Sequence, residues 1–328
     1  MLVCRSVKTR AILPVLPVLP VLAVVVLGCS GSTSSIGGGS DSGAAVTTDQ
    51  AATDVANAYC NRAQACAPAY ITNSIGDVAT CTTRLKATLL PGMGATGSTE
   101  TPAQYEACAA SVPSATCDDL LARTLPAPCQ PVPGTLAIGA ACAVDGQCAS
   151  THCGLPANAA CGTCVGLAGA GGACNVDDDC QDGMTCQSNA CVAYGAENAM
   201  CDTTHPCLPD LGCKSGACTA PSPAGTACQS GAECDNLHGV FCNPVSMMCE
   251  AVSFAGANAA CGLVNMQVVV CTGPGSLCTG ETAPSYAGSC VPYAADGAAC
   301  DATNGPLCNA GAVCAGGKCA VPDPSQCQ

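Results

Sequence analysis

Residues 174–191 read CNVDDDCQDGMTCQSNAC, and residues 201–218 read CDTTHPCLPDLGCKSGAC. Both follow the spacing C-x5-C-x5-C-x4-C, although the residues between the cysteines are almost unrelated. Cysteines kept at fixed intervals while their neighbours change mark a duplicated, covalently pinned unit, and an internal period of this kind outweighs any local propensity.

The same unit can be followed along the chain in both directions. Cys300, Cys308, Cys314 and Cys319 depart only in the first gap; Cys228, Cys234, Cys242 and Cys249 form a looser copy, and Cys261, Cys271, Cys278 and Cys290 an expanded one. The first unit holds Cys142, Cys148, Cys153, Cys161 and Cys164. Residues 139–328 therefore read as six tandem modules starting near 142, 174, 201, 228, 261 and 300, each with a Gly shortly before its first Cys. Units of some 30 residues bury too little apolar surface to fold unaided, so cross-links must hold them.

The composition agrees. Of 328 residues 34 are Cys, with 37 Gly, 23 Pro, no Trp and only two Phe, which is the profile of a disulfide scaffold and leaves few side chains for a large core. A TIM barrel, a dinucleotide-binding domain or a large α/β enzyme is excluded on that ground. Setting aside Cys4 and Cys29 leaves an even 32, as a closed framework requires. The first module's five cysteines leave one partner to find, and Cys327 is the candidate; every thiol of the mature chain is expected to be oxidised.

Four cysteines permit three pairings. Joining neighbours closes two separate small loops, whereas joining first to third and second to fourth interlocks them, so that each bond restrains the segment containing the other. With almost no core the interlocked pattern is expected: Cys174–Cys186, Cys180–Cys191, Cys201–Cys213 and Cys207–Cys218. The expected fold class is small disulfide-rich repeats with irregular short β-hairpins, preceded by a small disulfide-linked α-helical domain.

That helical domain spans 47–130. Thr47-Thr48-Asp49-Gln50 and Thr101-Pro102-Ala103-Gln104 read as capping boxes, the latter with Pro at the first helical position. Ala51, Val55, Tyr59 and Cys66 share one helical face, and Val78, Cys81, Leu85 and Leu89 another. Further helix is expected near Cys117 to Leu125. Cys60 and Cys66 on one helix lie about 9 Å apart along its axis, beyond the ~7 Å limit for a disulfide, so each must reach elsewhere.

Four resemblances extend the reading. Cys142-x2-Asp145-x2-Cys148-x4-Cys153-x7-Cys161-x2-Cys164, followed by Cys174-x2-Asp177-x2-Cys180, resembles the Dickkopf N-terminal cysteine-rich domain over about 50 residues, with the later modules as degenerate copies. It implies a secreted, disulfide-knotted, irregular β architecture and no activity. The helical segment followed by such modules resembles cysteine-rich lipoproteins of myxobacteria. At the other end, Arg5, Lys8 and Arg10 precede an apolar, Pro-interrupted run that closes Val26-Leu27-Gly28-Cys29-Ser30. Basic start and apolar run are those of a secretory signal, and the close resembles a bacterial lipobox, with Leu27 bulkier than is usual there. This implies a signal peptide over 1–28, lipidation of Cys29, and a Gly/Ser tether over 29–46 that clears the headgroups. Ser30 after the Cys resembles the outer-membrane sorting signal, so an outer-membrane or cell-surface location follows.

The remaining motifs carry little chemistry. Cys161-Gly162-Thr163-Cys164 has redox spacing but no βαβ unit to present it. Zinc would need a second such pair or nearby His. His152, His205 and His238 lie in separate modules and read as loop residues without a role. Asp177, Asp178 and Asp179 are the densest acidic run and the weak calcium candidates, but Cys180 stands where an EF-hand loop needs Gly. Loss of the signal leaves six basic residues against 23 acidic, a charge of −17, which repels nucleic acid. No cofactor is called for. The expected function is a non-enzymatic surface lipoprotein, structural or binding an extracellular protein, with a membrane contact through its anchor. The alternative is a secreted thiol-disulfide or hydrolytic enzyme on the same scaffold.

Overall fold

The structure, a computed structural model, describes residues 45–156, 159–273, 276–280, 286–301 and 305–327. Cys4, the secretory signal, the lipobox with Cys29, and most of the tether lie outside the described residues.

Five α-helices come first: α1 Thr48–Cys66, α2 Pro68–Tyr70, α3 Val78–Leu89, α4 Pro102–Ala109 and α5 Cys117–Leu121. Each of the longer ones starts on a side-chain cap. Thr47, Asp77, Thr101 and Thr116 accept the amide three residues on, satisfying one orphan donor of the first turn. The reciprocal half of the box is present at Gln104 but not at Gln50, whose amide turns instead to Asp54. Helix α1 buries Ala51, Ala52, Val55, Ala56, Cys60, Ala63 and Cys66. These small side chains let α3 and α4 approach closely, but each buries little area, of order 1 kcal/mol or less apiece at ~25 cal/mol/Å². Covalent bonds supplement the deficit: Cys60–Cys81 joins α1 to α3, and Cys66–Cys117 joins α1 to α5.

From Ala141 onward the chain forms short antiparallel hairpins, one set per module. With Cys161 of the first module set aside, the third and fourth cysteines of each module stand directly opposite each other across its hairpin: Cys153 and Cys164, Cys186 and Cys191, Cys213 and Cys218, Cys242 and Cys249, Cys278 and Cys290, Cys314 and Cys319. Cross-strand neighbours project to the same face, so both sulfurs meet the module's first half. Tight tips are made by two consecutive left-handed residues, Ser188-Asn189 and Ser215-Gly216 among them, as two-residue turns with the strands' own twist require. The fifth module widens to five strands within Ser253–Pro292.

Three backbone links recur in all six modules. The residue three before the first cysteine has positive φ and donates to the fourth cysteine's carbonyl: Gly139, Gly171, Asn198, Gly225, Asn258 and Gly297, at 2.7–2.9 Å. Gly or Asn is needed there because other side chains crowd the backbone in that region. The fourth cysteine's amide donates back to the residue two before the first cysteine, as Cys191 does to Gly172 at 2.9 Å. The residue six before it pairs in parallel with the second cysteine, as Leu136 does with Cys148 and Ala255 with Cys271.

Each module also touches the helical unit. In the first, the Gln147 amide donates to Thr96 O at 2.9 Å; in the second, Arg123 reaches Asp178 and Met184 O; in the third, Asp210 meets Asp118. The fourth packs its turn Asn236–His238 on α2, the fifth sends Thr272 Oγ1 to Thr72 O at 2.9 Å, and in the sixth Asp296 takes both Arg84 Nη atoms at 2.6 and 3.0 Å. Cys161–Cys327 then joins the first module to the end of the chain. The modules thus form one covalently closed ring, each member of which contacts the helical unit.

Candidate functional site

The disulfides follow one rule. Cys174–Cys186, Cys180–Cys191, Cys201–Cys213 and Cys207–Cys218 are joined, with Cα separations of 5.5–5.9 Å, and the other four modules repeat first-to-third, second-to-fourth. The redox-spaced Cys161 and Cys164 bond to different partners, Cys327 and Cys148, so they do not form a dithiol couple. Cysteine triads close enough to hold a metal ion are the same disulfide sulfurs. One expectation is not met: Cys108 and Cys129 carry free, buried thiols.

The acidic run is spent on protein donors. Asp177 Oδ1 accepts from Cys186 N at 2.6 Å and Thr185 Oγ1 at 2.7 Å. Asp179 Oδ2 accepts from Asn175 N at 2.6 Å and Val176 N at 3.1 Å, and Asp178 Oδ1 accepts from Arg123 Nη1 at 2.9 Å. Three carboxylates aimed at three separate donor groups do not converge on one ion. The roles of Asp177 and Asp179 are modular. Asp145 Oδ1 accepts from Cys153 N at 2.6 Å as Asp177 does from Cys186 N. Gln147 holds Ala143 N and Val144 N, and Glu233 holds Gln229 N, as Asp179 holds the amides of its own module.

A cavity of about 90 Å³ lies where the helical unit meets the first two modules, lined in part by Tyr59, Arg123, Asp145, His152, Asp178 and Asp182. Small-molecule sites run to roughly 300–1,000 Å³, so this one has room for a few waters. It overturns one expectation: His152 is not an idle loop residue. It is buried, with Nδ1 3.4 Å from Asp145 Oδ1 in its own module and Nε2 3.4 Å from Asp179 Oδ1 in the next. Burial pulls its pKa down, but the hydrogen bond and charge of Asp145, then those of Asp179, outweigh it, and the pKa ends above the ordinary value. With a carboxylate on each ring nitrogen, the imidazole has no free position to take a proton from a substrate. Sequence reasoning missed this because the pair joins residues in different modules. His205 and His238 sit exposed against Asp202 and Asp235 of their own turns.

Two further carboxylates are displaced. Burial pushes Asp178 up to about 7, with Arg123 working against it. Asp118 of α5 and Asp210 of the third module each have an oxygen closed off from water and offered no protein donor. Burial, then the hydrogen bond and charge of Asp210, push Asp118 up to about 6, the condition in which two carboxylates share one proton.

No family model matches the chain, and neither a curated protein nor a solved structure matches it. Among the described residues no helix is long and apolar enough to cross a membrane.

Proposed function

We propose that the chain is a non-enzymatic, lipid-anchored protein of a bacterial outer membrane or cell surface. Its ring of cysteine-rich modules, similar to the Dickkopf N-terminal type and to myxobacterial lipoprotein modules, holds loops rigidly for an extracellular protein partner. One observation carries the reading: the residues that could do chemistry are used to build the scaffold. His152 and Arg123 bind neighbouring elements, Asp145, Asp177 and Asp179 cap backbone amides, and Cys161 and Cys164 close separate bonds. The anchor rests on Val26-Leu27-Gly28-Cys29 and the Gly/Ser stretch behind it.

A bacterial host fed a fatty-acid analogue provides the test. The full chain should take up label and fractionate with membranes, and Cys29→Ala should lose both. Ester, peptide and disulfide model substrates should turn over at the background rate. Labelling of the Cys29→Ala protein would remove the anchor, and turnover that is lost in His152→Ala would restore the enzymatic alternative.

A further inference from the structure

Every other described cysteine is joined in a disulfide, and the two left over lie against each other. Cys108 is in the last turn of α4, and Cys129 ends the 3-10 turn Ala127–Cys129. Both belong to the apolar cluster built on α1 and α4, and they are 0% and 1% exposed. Cys129 Sγ lies 3.6 Å from Cys108 O and 3.3 Å from Ser111 Oγ, and the two thiols are near enough to shift each other's pKa, Cys108 upward and Cys129 downward.

We propose that Cys108 and Cys129 close to a further disulfide in the mature protein, tying the C-terminal end of α4 to the segment that leads into the first module. Two polar S–H groups in an alanine-rich core gain only a weak hydrogen bond from their proximity. A covalent bond would replace that weak contact between two elements already packed in one core. The neighbouring bonds Cys60–Cys81 and Cys66–Cys117 in the same helical unit show that it is assembled under oxidising conditions. The inference rests on those bonds and this geometry, not on the lipid anchor.

The exchange balances with a protein disulfide of the thiol-oxidase class as oxidant. Before the core closes either thiol can be the first attacker, and the balance is the same for both. With Cys129 first, its thiolate forms a mixed disulfide and expels one oxidant sulfur as a thiolate. Cys108 then gives up its proton and attacks Cys129 Sγ, expelling the other. The chain loses two protons and two electrons, and the oxidant leaves as a dithiol. Since neither sulfur is exposed in the folded protein, this exchange precedes closure of the helical core.

The experiment uses the full chain exported from a bacterial host, unfolded in guanidinium with excess N-ethylmaleimide and no reductant, then digested and mapped. The expected result is no maleimide on either residue and one cross-linked peptide joining Cys108 to Cys129. In Cys108→Ser, the remaining Cys129 should take up one maleimide while the other bonds persist. Maleimide on both residues of the parent protein, or either residue found bonded elsewhere, would overturn the proposal.

Discussion

Removing the ring closure, with Cys161→Ser and Cys327→Ser together so that no odd thiol remains, measures what the circular arrangement contributes. The bond spans 166 residues of sequence, but the chain between is already shortened by other disulfides. Stepping across each module's first-to-third bridge leaves a shortest covalent route of about 100 residues. Chain-entropy reasoning assigns a loop of that length about 5 kcal/mol of stabilisation at 25 °C. Guanidinium unfolding, followed by helical ellipticity at 222 nm, reports the loss where it matters, since helices α1, α3 and α4 form the hub. With an m-value of about 4 kcal/mol/M, the midpoint should fall by about 1 M. The folded variant should keep the parent's ellipticity and hydrodynamic radius, because the modules remain docked by their own contacts. A variant with native ellipticity and an unshifted midpoint would show that the ring's closure is irrelevant to stability and would refute the reasoning.

Arg84→Ala removes both bonds to Asp296 and the 2.7 Å bond to Ala310 O; hydrogen exchange should rise in residues 294–320 and stay unchanged in the second module. Asp177→Ala leaves Cys186 N and Thr185 Oγ1 without their acceptor and should cost about 1–3 kcal/mol in a thermal melt. Calcium should not shift the melting temperature relative to chelator, since Asp177, Asp178 and Asp179 bind separate donors. Asp178, raised to about 7, and His152, raised above its usual value, each stabilise the fold most at low pH; those contributions fade as pH rises through about 4–7 for Asp178 and through the raised value for His152. The cap Asp77, lowered, acts in the opposite sense below about 4, so the melting temperature should be higher at pH 5 than at pH 8, and Asp178→Asn should shrink that difference.

What the sequence disclosed was what short-range geometry controls. Equal cysteine gaps in residues 174–191 and 201–218 impose equal hairpins, and the interlocked pairing follows because the third and fourth cysteines share one face. The Gly before each first cysteine is visible because one backbone conformation demands it, with Asn198 and Asn258 as its less obvious substitutes. That one of the first module's five cysteines needs Cys327 followed by parity alone, and in the structure that cysteine is Cys161. The docking contacts were not visible: Arg84 to Asp296 and Arg123 to Asp178 join residues 212 and 55 positions apart. A single charged side chain carries no periodic mark of a partner at that distance. His152 was hidden for the same reason, since only the placement of the second module supplies Asp179.

The division between what builds a module and what surrounds it bears on display. Four cysteines and one left-handed residue are reused in every module, and a polar acceptor just before the second cysteine in three of them (Gln147, Asp179 and Glu233), while the stretch between the second and third cysteines reads Gln181-Asp-Gly-Met-Thr185 in one module and Leu208-Pro-Asp-Leu-Gly212 in the next. Those five residues differ at every position although the flanking bonds have the same Cα separations to within 0.1 Å. Apart from Thr185, which is buried and bonded to Asp177, the side chains there can change because the fold's free energy resides in cross-links and backbone hydrogen bonds, with little apolar core to disturb. Exposed apolar side chains are scattered over several modules, with Met200 in the third, Val245 and Met247 in the fourth, and Met266 and Tyr286 in the fifth. They can vary on the same terms. A scaffold whose stability is covalent and whose modules are joined in one closed loop would hold such side chains at fixed positions, which is what the proposed recognition of an extracellular protein requires.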